Sequence, residues 1–374
     1  MNISDSIVRK KVQLQARGVR VPPELMDELE ASYNAPAIRT GRMVLILEAP
    51  NGEPMPAFIV NGRRGDTSAL SLDRKASGGF QVLADDEPYA DVSLIARPRF
   101  YDSLTADGTP RHKLAVIVGP GHMRSVVNQV CHYQQIGKPC KFCAVQHWWN
   151  ANVKKASAAI AETVAMAVDE GVVQHISLTT ATLDTPGKGL EDLVQTAQLI
   201  HARTDVPLML EFEPLDDLSL LEKLLTEARE AGVTTVSSNI EVFTQSLRAK
   251  VMPAKGLIPV DTYVRTWETA RRIFGANEVF TVAVVGAGDD DAALLKGVKM
   301  GASHGAMTFL VPHSPAIGAA YEDMEPPDAE RMLYLYAKAA EIHRQHGLDI
   351  CACEAGCVRG SGFSAIKDVS RFGI

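Results

Sequence analysis

The chain has 374 residues, 46% of them hydrophobic and 22% charged, with a formal net charge of −7. This describes a globular protein with room for one α/β unit of about 250 residues and a smaller companion. It lacks the electrostatic footprint of a nucleic-acid binder, and no basic run marks a membrane surface.

Residues 1–112 predict a small α+β N-terminal domain. VPPELMDELEAS reads as a helix opened by prolines with acids in its first turns, and MVLILEAPNGEPMPAFIV as two strands joined by an Asn-Gly turn. Short strand-like runs follow in FQVLADD and DVSLIARP. No apolar stretch approaches the ~20 residues that span a bilayer, and the opening MNISDSIVRKKVQLQARG has no signal-peptide core. A cytoplasmic protein with reduced thiols is expected.

Residues 113–374 alternate apolar strands with amphipathic helices. KLAVIVGPG and SVVNQV are strand-like. Helices near 154–170, 188–204 and 216–231 precede the strands VQHISLTT, PLMLEFE and TTVSSNIE; helices near 262–275, 289–300 and 327–346 precede EVFTVAVVG, GAMTFLVPH and LDICAC. Such alternation implies a parallel sheet buried on both faces, and six or more units in about 240 residues suit a full or partial (β/α) TIM-type barrel. A doubly wound open sheet is the alternative.

The six cysteines form two groups: Cys131, Cys140 and Cys143 within thirteen residues, and Cys351, Cys353 and Cys357 more than two hundred residues later. The first group follows SVVNQV, so in a parallel barrel it lies on the face where loops after strands carry function. Cys140–Lys141–Phe142–Cys143 offers two thiolates through a tight turn. Gly137 and Pro139 suit the return of the chain from Cys131 across eight residues. Three thiolates without a fourth suit a [4Fe–4S] cluster with one iron open. A structural zinc closed by His132 or His147 competes with it, and so do inert core thiols.

Cys-x-aromatic-Cys after the first strand of a β/α repeat resembles the radical S-adenosylmethionine (SAM) superfamily. The resemblance covers most of residues 120–374 and is nearest the biotin synthase-like branch, including the radical SAM proteins encoded beside nitrilases. It implies that Cys131, Cys140 and Cys143 hold the cluster and SAM chelates its fourth iron. The first spacing is longer than the family's CxxxCxxC. By the same resemblance Asn239 and Glu241, in SSNIEVF, hold the SAM ribose, Arg265 approaches the SAM carboxylate, and VVGAGDD forms the adenine-contacting turn. Where the family has a Gly-Gly-Glu-like motif this chain has SLTTATLD, so Thr179 and Thr180 stand in for the contact to the SAM amino group.

Other residues carry weaker signals. Cys351 and Cys353, two apart on an expected strand, could join Cys357 in an auxiliary Fe–S cluster or supply sulfur. Gly360 stands where relatives carry a last cysteine, and buried thiols are the bland alternative. Glu211 and Glu213 share a face at the end of the third strand, where they could bind a substrate amino group or exchange a proton. His313 sits at the functional end of the sixth strand and His304 at its start; satisfied loop histidines are the alternative. His147, Trp148 and Trp149 could wall the site from water or simply pack under the loop. GAGDDD lacks the third glycine of a dinucleotide fingerprint, with Asp291 in its place.

The resemblance therefore implies an enzyme that reductively cleaves SAM to a 5′-deoxyadenosyl radical, which abstracts hydrogen from a small, nitrogen-containing substrate, with lyase-type fragmentation to follow. Sulfur insertion and methylation are the alternatives within the family. A flavodoxin- or ferredoxin-type electron donor is the implied partner. Outside the family, the rival readings are a zinc-stabilised barrel enzyme and a non-catalytic Fe–S carrier.

Overall fold

A computed structural model describes residues 6–34, 42–60, 68–145 and 153–374. His147, Trp148 and Trp149 lie outside them.

The N-terminal region contains α1 (Ile7–Arg17), α2 (Pro23–Ser32), the hairpin β1 (Arg42–Glu48) and β2 (Pro54–Val60), and a three-stranded sheet of β3 (Leu70–Arg74), β4 (Phe80–Ala84) and β5 (Glu87–Val92). The hairpin turns at Asn51–Gly52 as its sequence predicts. Gly52 takes the left-handed conformation (φ +81°), open to glycine at no steric cost. Helix α1 was not expected. It buries Val8, Lys11, Val12, Leu14, Gln15 and Ala16, an apolar pattern diluted by the polar residues among them.

The main sheet has the order β6–β7–β8–β9–β10–β11–β12, comprising β6 (Val116–Gly119), β7 (Gly121–Asn128), β8 (Val173–Thr180), β9 (Leu208–Phe212), β10 (Val233–Ser238), β11 (Val279–Val285) and β12 (Met307–Pro312). Strands β7 to β12 are parallel, and β6 pairs antiparallel to β7. Among the described residues the helices are α3 (His132–Gln135), α4 (Ser157–Asp169), α5 (Leu190–His201), α6 (Leu218–Glu230), α7 (Gln245–Val251), α8 (Val260–Phe274), α9 (Asp291–Ser303), α10 (Ala329–Gln345), α11 (Gly356–Gly360) and α12 (Ile366–Phe372). Capping sharpens several starts: Asp217, Asp290 and Asp328 each accept backbone N–H bonds at the heads of α6, α9 and α10.

This is a partial (β/α) barrel, since β6 and β12 are its two edges and do not pair. The N-terminal region covers the gap. Met43, Val44, Phe58 and Val60 of the hairpin line the same cavity as Ile117 of β6 and Phe309 of β12. One contiguous apolar core runs from Val8 and Leu45 through the barrel to Ile366, so the boundary expected near residue 112 does not divide the core.

The C-terminal segment corrects one expectation. LDICAC is not a strand: residues 350–352 form a turn, and the chain continues into α11 and α12. This segment packs low inside the barrel. Gly356 N donates to His175 Nδ1 (3.1 Å), and Phe58 N and Gln15 Nε2 both donate to Gly362 O (2.8 Å each). Among the described residues, no helix is long and apolar enough to cross a membrane.

Candidate functional site

The parallel strands end at one rim, and the loops after them carry the first cysteine group. Asn128 closes β7. Cys131 stands at the N-terminal edge of α3, and His132 N donates to Thr182 O (2.8 Å) in the loop after β8. The CxxC turn closes with Cys143 N donating to Cys140 O (3.1 Å). It is pinned from outside by Lys141 N to Val251 O and Tyr321 N to Lys141 O, each 2.9 Å. Phe142 and Cys140 pack on a small apolar cluster of Val242, Val251, Met252, Val284 and Ala287. The aromatic within the motif is thus an anchor for the turn.

Burial pushes the Cys140 thiol well above its ordinary pKa; Glu241, Cys143 and Cys131 push the same way, while Lys255 opposes. Cys143 is pushed up to about 11, mainly by burial, with a backbone N–H opposing and Cys131 adding to it. Such a group ionises readily only when a cationic centre compensates the charges. Among the described residues, no three His, Cys, Asp or Glu side chains converge on a single ion. A lone zinc needs donors about 2.0–2.3 Å from one point. Three thiolates are the number a four-iron cluster takes when one iron stays open, which is the fit this donor set offers.

Beside the thiols, the turn after β10 holds Glu241 in the left-handed region (φ +58°), bridged to Ala283 of β11. Lys255 Nζ lies 2.5 Å from Glu241 Oε1. Burial opposes the charge on Lys255, but Glu241, Tyr263, Glu213 and Cys140 together outweigh it and hold the ammonium above its ordinary range. Glu241 Oε2 and Ser238 Oγ are buried without a hydrogen-bond partner among the described residues. Two unsatisfied polar atoms at one strand end are costly unless a ligand serves them. A polyhydroxylated group such as a ribose suits them. Asn239 lines the cavity, its Oδ1 accepting from Ser237 Oγ and from Val282 N (3.2 Å). In the GAGDD turn, Asp289 accepts from Phe243 N (2.6 Å) and Thr244 N (3.1 Å), tying the loops after β10 and β11 together.

Inside the barrel is a cavity of about 440 Å³, bounded above by Cys143 and below by Cys357, with Arg124, Glu211, Asn239 and His313 on its walls. Glu211 Oε2 accepts from Arg124 Nη2 (2.9 Å), and Glu211 Oε1 from Cys357 Sγ (3.3 Å). Glu213 does different work. It accepts from Tyr133 OH (2.7 Å) and Thr182 Oγ1 (2.9 Å) and pairs with Lys188 (3.1 Å), clamping the start of the cysteine loop to the strand end. His313 is buried, with Nε2 3.1 Å from Tyr321 O.

Arg265 departs from its expected place. It lies on the exposed face of α8, paired with Asp261 one turn away (3.0 Å), apart from the cavity, while Tyr263 and Trp267 take the buried stripe of the helix. Thr179 stands in register with Val126 and Glu211 on the inner face, whereas Thr180 donates to Ala181 O (2.9 Å) and packs against Gly189. His304 is at the surface beside Glu268 (2.7 Å).

The second cysteine group does not assemble. Cys351 is partly exposed near Asp349, and Cys353 donates to Ala355 O (3.0 Å) close to Glu278. Cys357 faces Glu211 and the cavity, where burial, with Glu211 adding, pushes it up to about 12. Three separate surroundings do not make an auxiliary cluster.

The sequence reading missed Arg124, Lys255 and Lys155. A lone charge within an otherwise apolar strand, as in GHMRSVVNQV, was a usable signal for the first.

No protein-family model and no curated protein matches the chain. Among solved structures it is similar to methylornithine synthase, at 14% identity over 60% of this chain and 62% of that one, with a TM-score of 0.47. It is similar to a maturase of the [FeFe]-hydrogenase at 11% identity over 65% and 50%, TM-score 0.46. A radical SAM methyltransferase from Sphaerobacter thermophilus matches at 15% identity over 87% and 80%, TM-score 0.45. The chain thus spans less than two thirds of the length of the first two. At TM-scores below 0.5 these likenesses carry no argument about reaction, cofactor or substrate.

Proposed function

We propose that this protein is a radical SAM enzyme acting on a small, nitrogen-containing molecule inside the barrel. The observation that carries the reading is the group of three thiols in the loop after the first parallel strand of a partial barrel, with Cys143 on the wall of a cavity of about 440 Å³. Cys131, Cys140 and Cys143 would hold a [4Fe–4S] cluster, Glu241 and Asn239 would face the SAM ribose, and Lys255 would hold Glu241 in place. Such a cluster would supply one electron, received from a reductant, for reductive cleavage of SAM to methionine and a 5′-deoxyadenosyl radical able to take hydrogen from carbon.

The chain's own contribution is confinement. Apolar walls from Val126, Val282, Val284, Phe309 and Val311 keep water from the reacting centre, and the hairpin covers the gap between the sheet edges. Gln129 Oε1, buried without a partner among the described residues, offers an acceptor for substrate N–H groups. That supports a nitrogen-containing substrate and, with no converging second cysteine group, a fragmentation rather than sulfur insertion. The reductant would be a flavodoxin- or ferredoxin-type protein.

The test uses anaerobically reconstituted protein. Iron and sulfide are counted, dithionite is added with SAM, and 5′-deoxyadenosine is measured beside a Cys140→Ala/Cys143→Ala control. About four irons per chain and nucleoside formation lost in the control support the reading. Tightly held zinc in place of iron overturns it. Iron without SAM cleavage, across a panel of small amines, assigns a carrier instead.

A further inference from the structure

Arg124, Lys155 and Glu211 stand on the cavity wall; Arg42 and Lys113, also on it, make interactions of their own. Glu211 is already committed to Arg124 and Cys357. Lys155 is 8% exposed, and its ammonium donates to Leu114 O (3.1 Å). Burial pulls it down to about 8. Cationic groups among apolar walls attract an entering anion.

Arg124 is the best-prepared of these cations. Its guanidinium lies over the Phe363 ring (5.6 Å to the centroid), one nitrogen is held by Glu211, and Nε is buried with no partner among the described residues. The group is therefore fixed in orientation while Nε, one donor of its planar fork, remains unsatisfied. A carboxylate is the acceptor that a guanidinium N–H binds most strongly. Arg124 sits mid-strand on β7, in register with Ser177, a layer below Val126 and the rim. A ligand bound here would lie under the cysteine group.

We propose that the cavity takes a small molecule bearing a carboxylate, docked on the unpartnered Nε of Arg124. As a statement about substrate this rests on the reading above; as a statement about ligand class it rests on the cavity alone.

The experiment is calorimetric titration of the full chain, both as isolated and after cluster reconstitution, with pentanoate, pentanamide and pentylamine as probes. Pentanoate is expected to bind about tenfold or more tighter than either neutral or cationic analogue, the scale of one lost charge-assisted pair. Arg124→Gln alone would leave Glu211 buried without its cation, so the decisive variant is Arg124→Gln/Glu211→Gln, its folding checked by circular dichroism and Tm. It should lose the preference for pentanoate, while Arg265→Gln on the outer surface keeps it. Equal binding of pentanoate and pentanamide, an unchanged preference in the double variant, or competitive displacement of pentanoate by SAM would each overturn the proposal. Iron-free protein that selects pentanoate through Arg124 upholds it even if SAM is never cleaved. Loaded protein that cleaves SAM but shows no carboxylate preference overturns it and leaves the enzyme reading intact.

Discussion

Tyr133 shows how single residues govern the rim. Its hydroxyl donates to Glu213, which is also held by Lys188 and Thr182, so the loop leaving Cys131 is fastened through one phenol. Hydrogen bonds to charged groups contribute about 1.5–3 kcal/mol. Tyr133→Phe should raise amide exchange across 131–138 by about tenfold or more, with little change in global Tm because Glu213 keeps two partners. Exchange measured by mass spectrometry checks this, and an unchanged rate would mean that the turn holds itself. At this scale the cysteines were legible from spacing, since ligands of one centre must crowd in the chain or in space. The division of labour between Glu211 and Glu213 was not. Arg124 and Tyr133, their distinguishing partners, stand 87 and 80 residues away.

Elements were read well where burial is periodic and poorly where the chain fits a pre-existing space. The helices α4, α5, α6, α8, α9 and α10 and the strands β7 to β12 follow the alternation of the sequence. LDICAC has the apolar character of a strand but pairs with neither open edge of the sheet; it turns and enters the barrel instead. Gly356 makes this entry possible. It adopts φ +84°, and a Cβ there would stand 1.8 Å from Met209 Sδ. Gly356→Ala should destabilise the protein by at least the roughly 1–3 kcal/mol of the backbone conformation, seen as a lower urea midpoint and as faster alkylation of Cys357. A midpoint equal to that of the parent protein would show that the C-terminal segment can redock without this turn.

For the molecule as a whole, closure of the cavity depends on the N-terminal region and the C-terminal segment holding each other. Lys11 of α1 is fully buried, 2.5 Å from Asp368 of α12, and also donates to Ser361 O (2.7 Å). Breaking one side of such a pair strands a buried charge at a cost of about 3–5 kcal/mol. Lys11→Met should lower the unfolding midpoint accordingly, and Lys11→Met/Asp368→Leu should recover most of the loss. Because the core is continuous, far-UV and near-UV signals should lose structure together in the parent protein. Separate transitions would mean that residues before β6 fold as an independent unit.

The sequence by itself determined the repeating strand–helix order, the parallel sheet and the position of three thiols after its first parallel strand. These follow from local periodicity and from ligand spacing, both written within a few residues of one another. Tertiary structure alone decided that the barrel is partial and closed by the N-terminal hairpin, and that Cys351, Cys353 and Cys357 part company. It also decided that α8 turns Arg265 outward and that Arg124, Glu211 and Cys357 meet beneath the rim. Those outcomes depend on which distant surfaces find space and charge complementarity, and no short window of sequence carries that information.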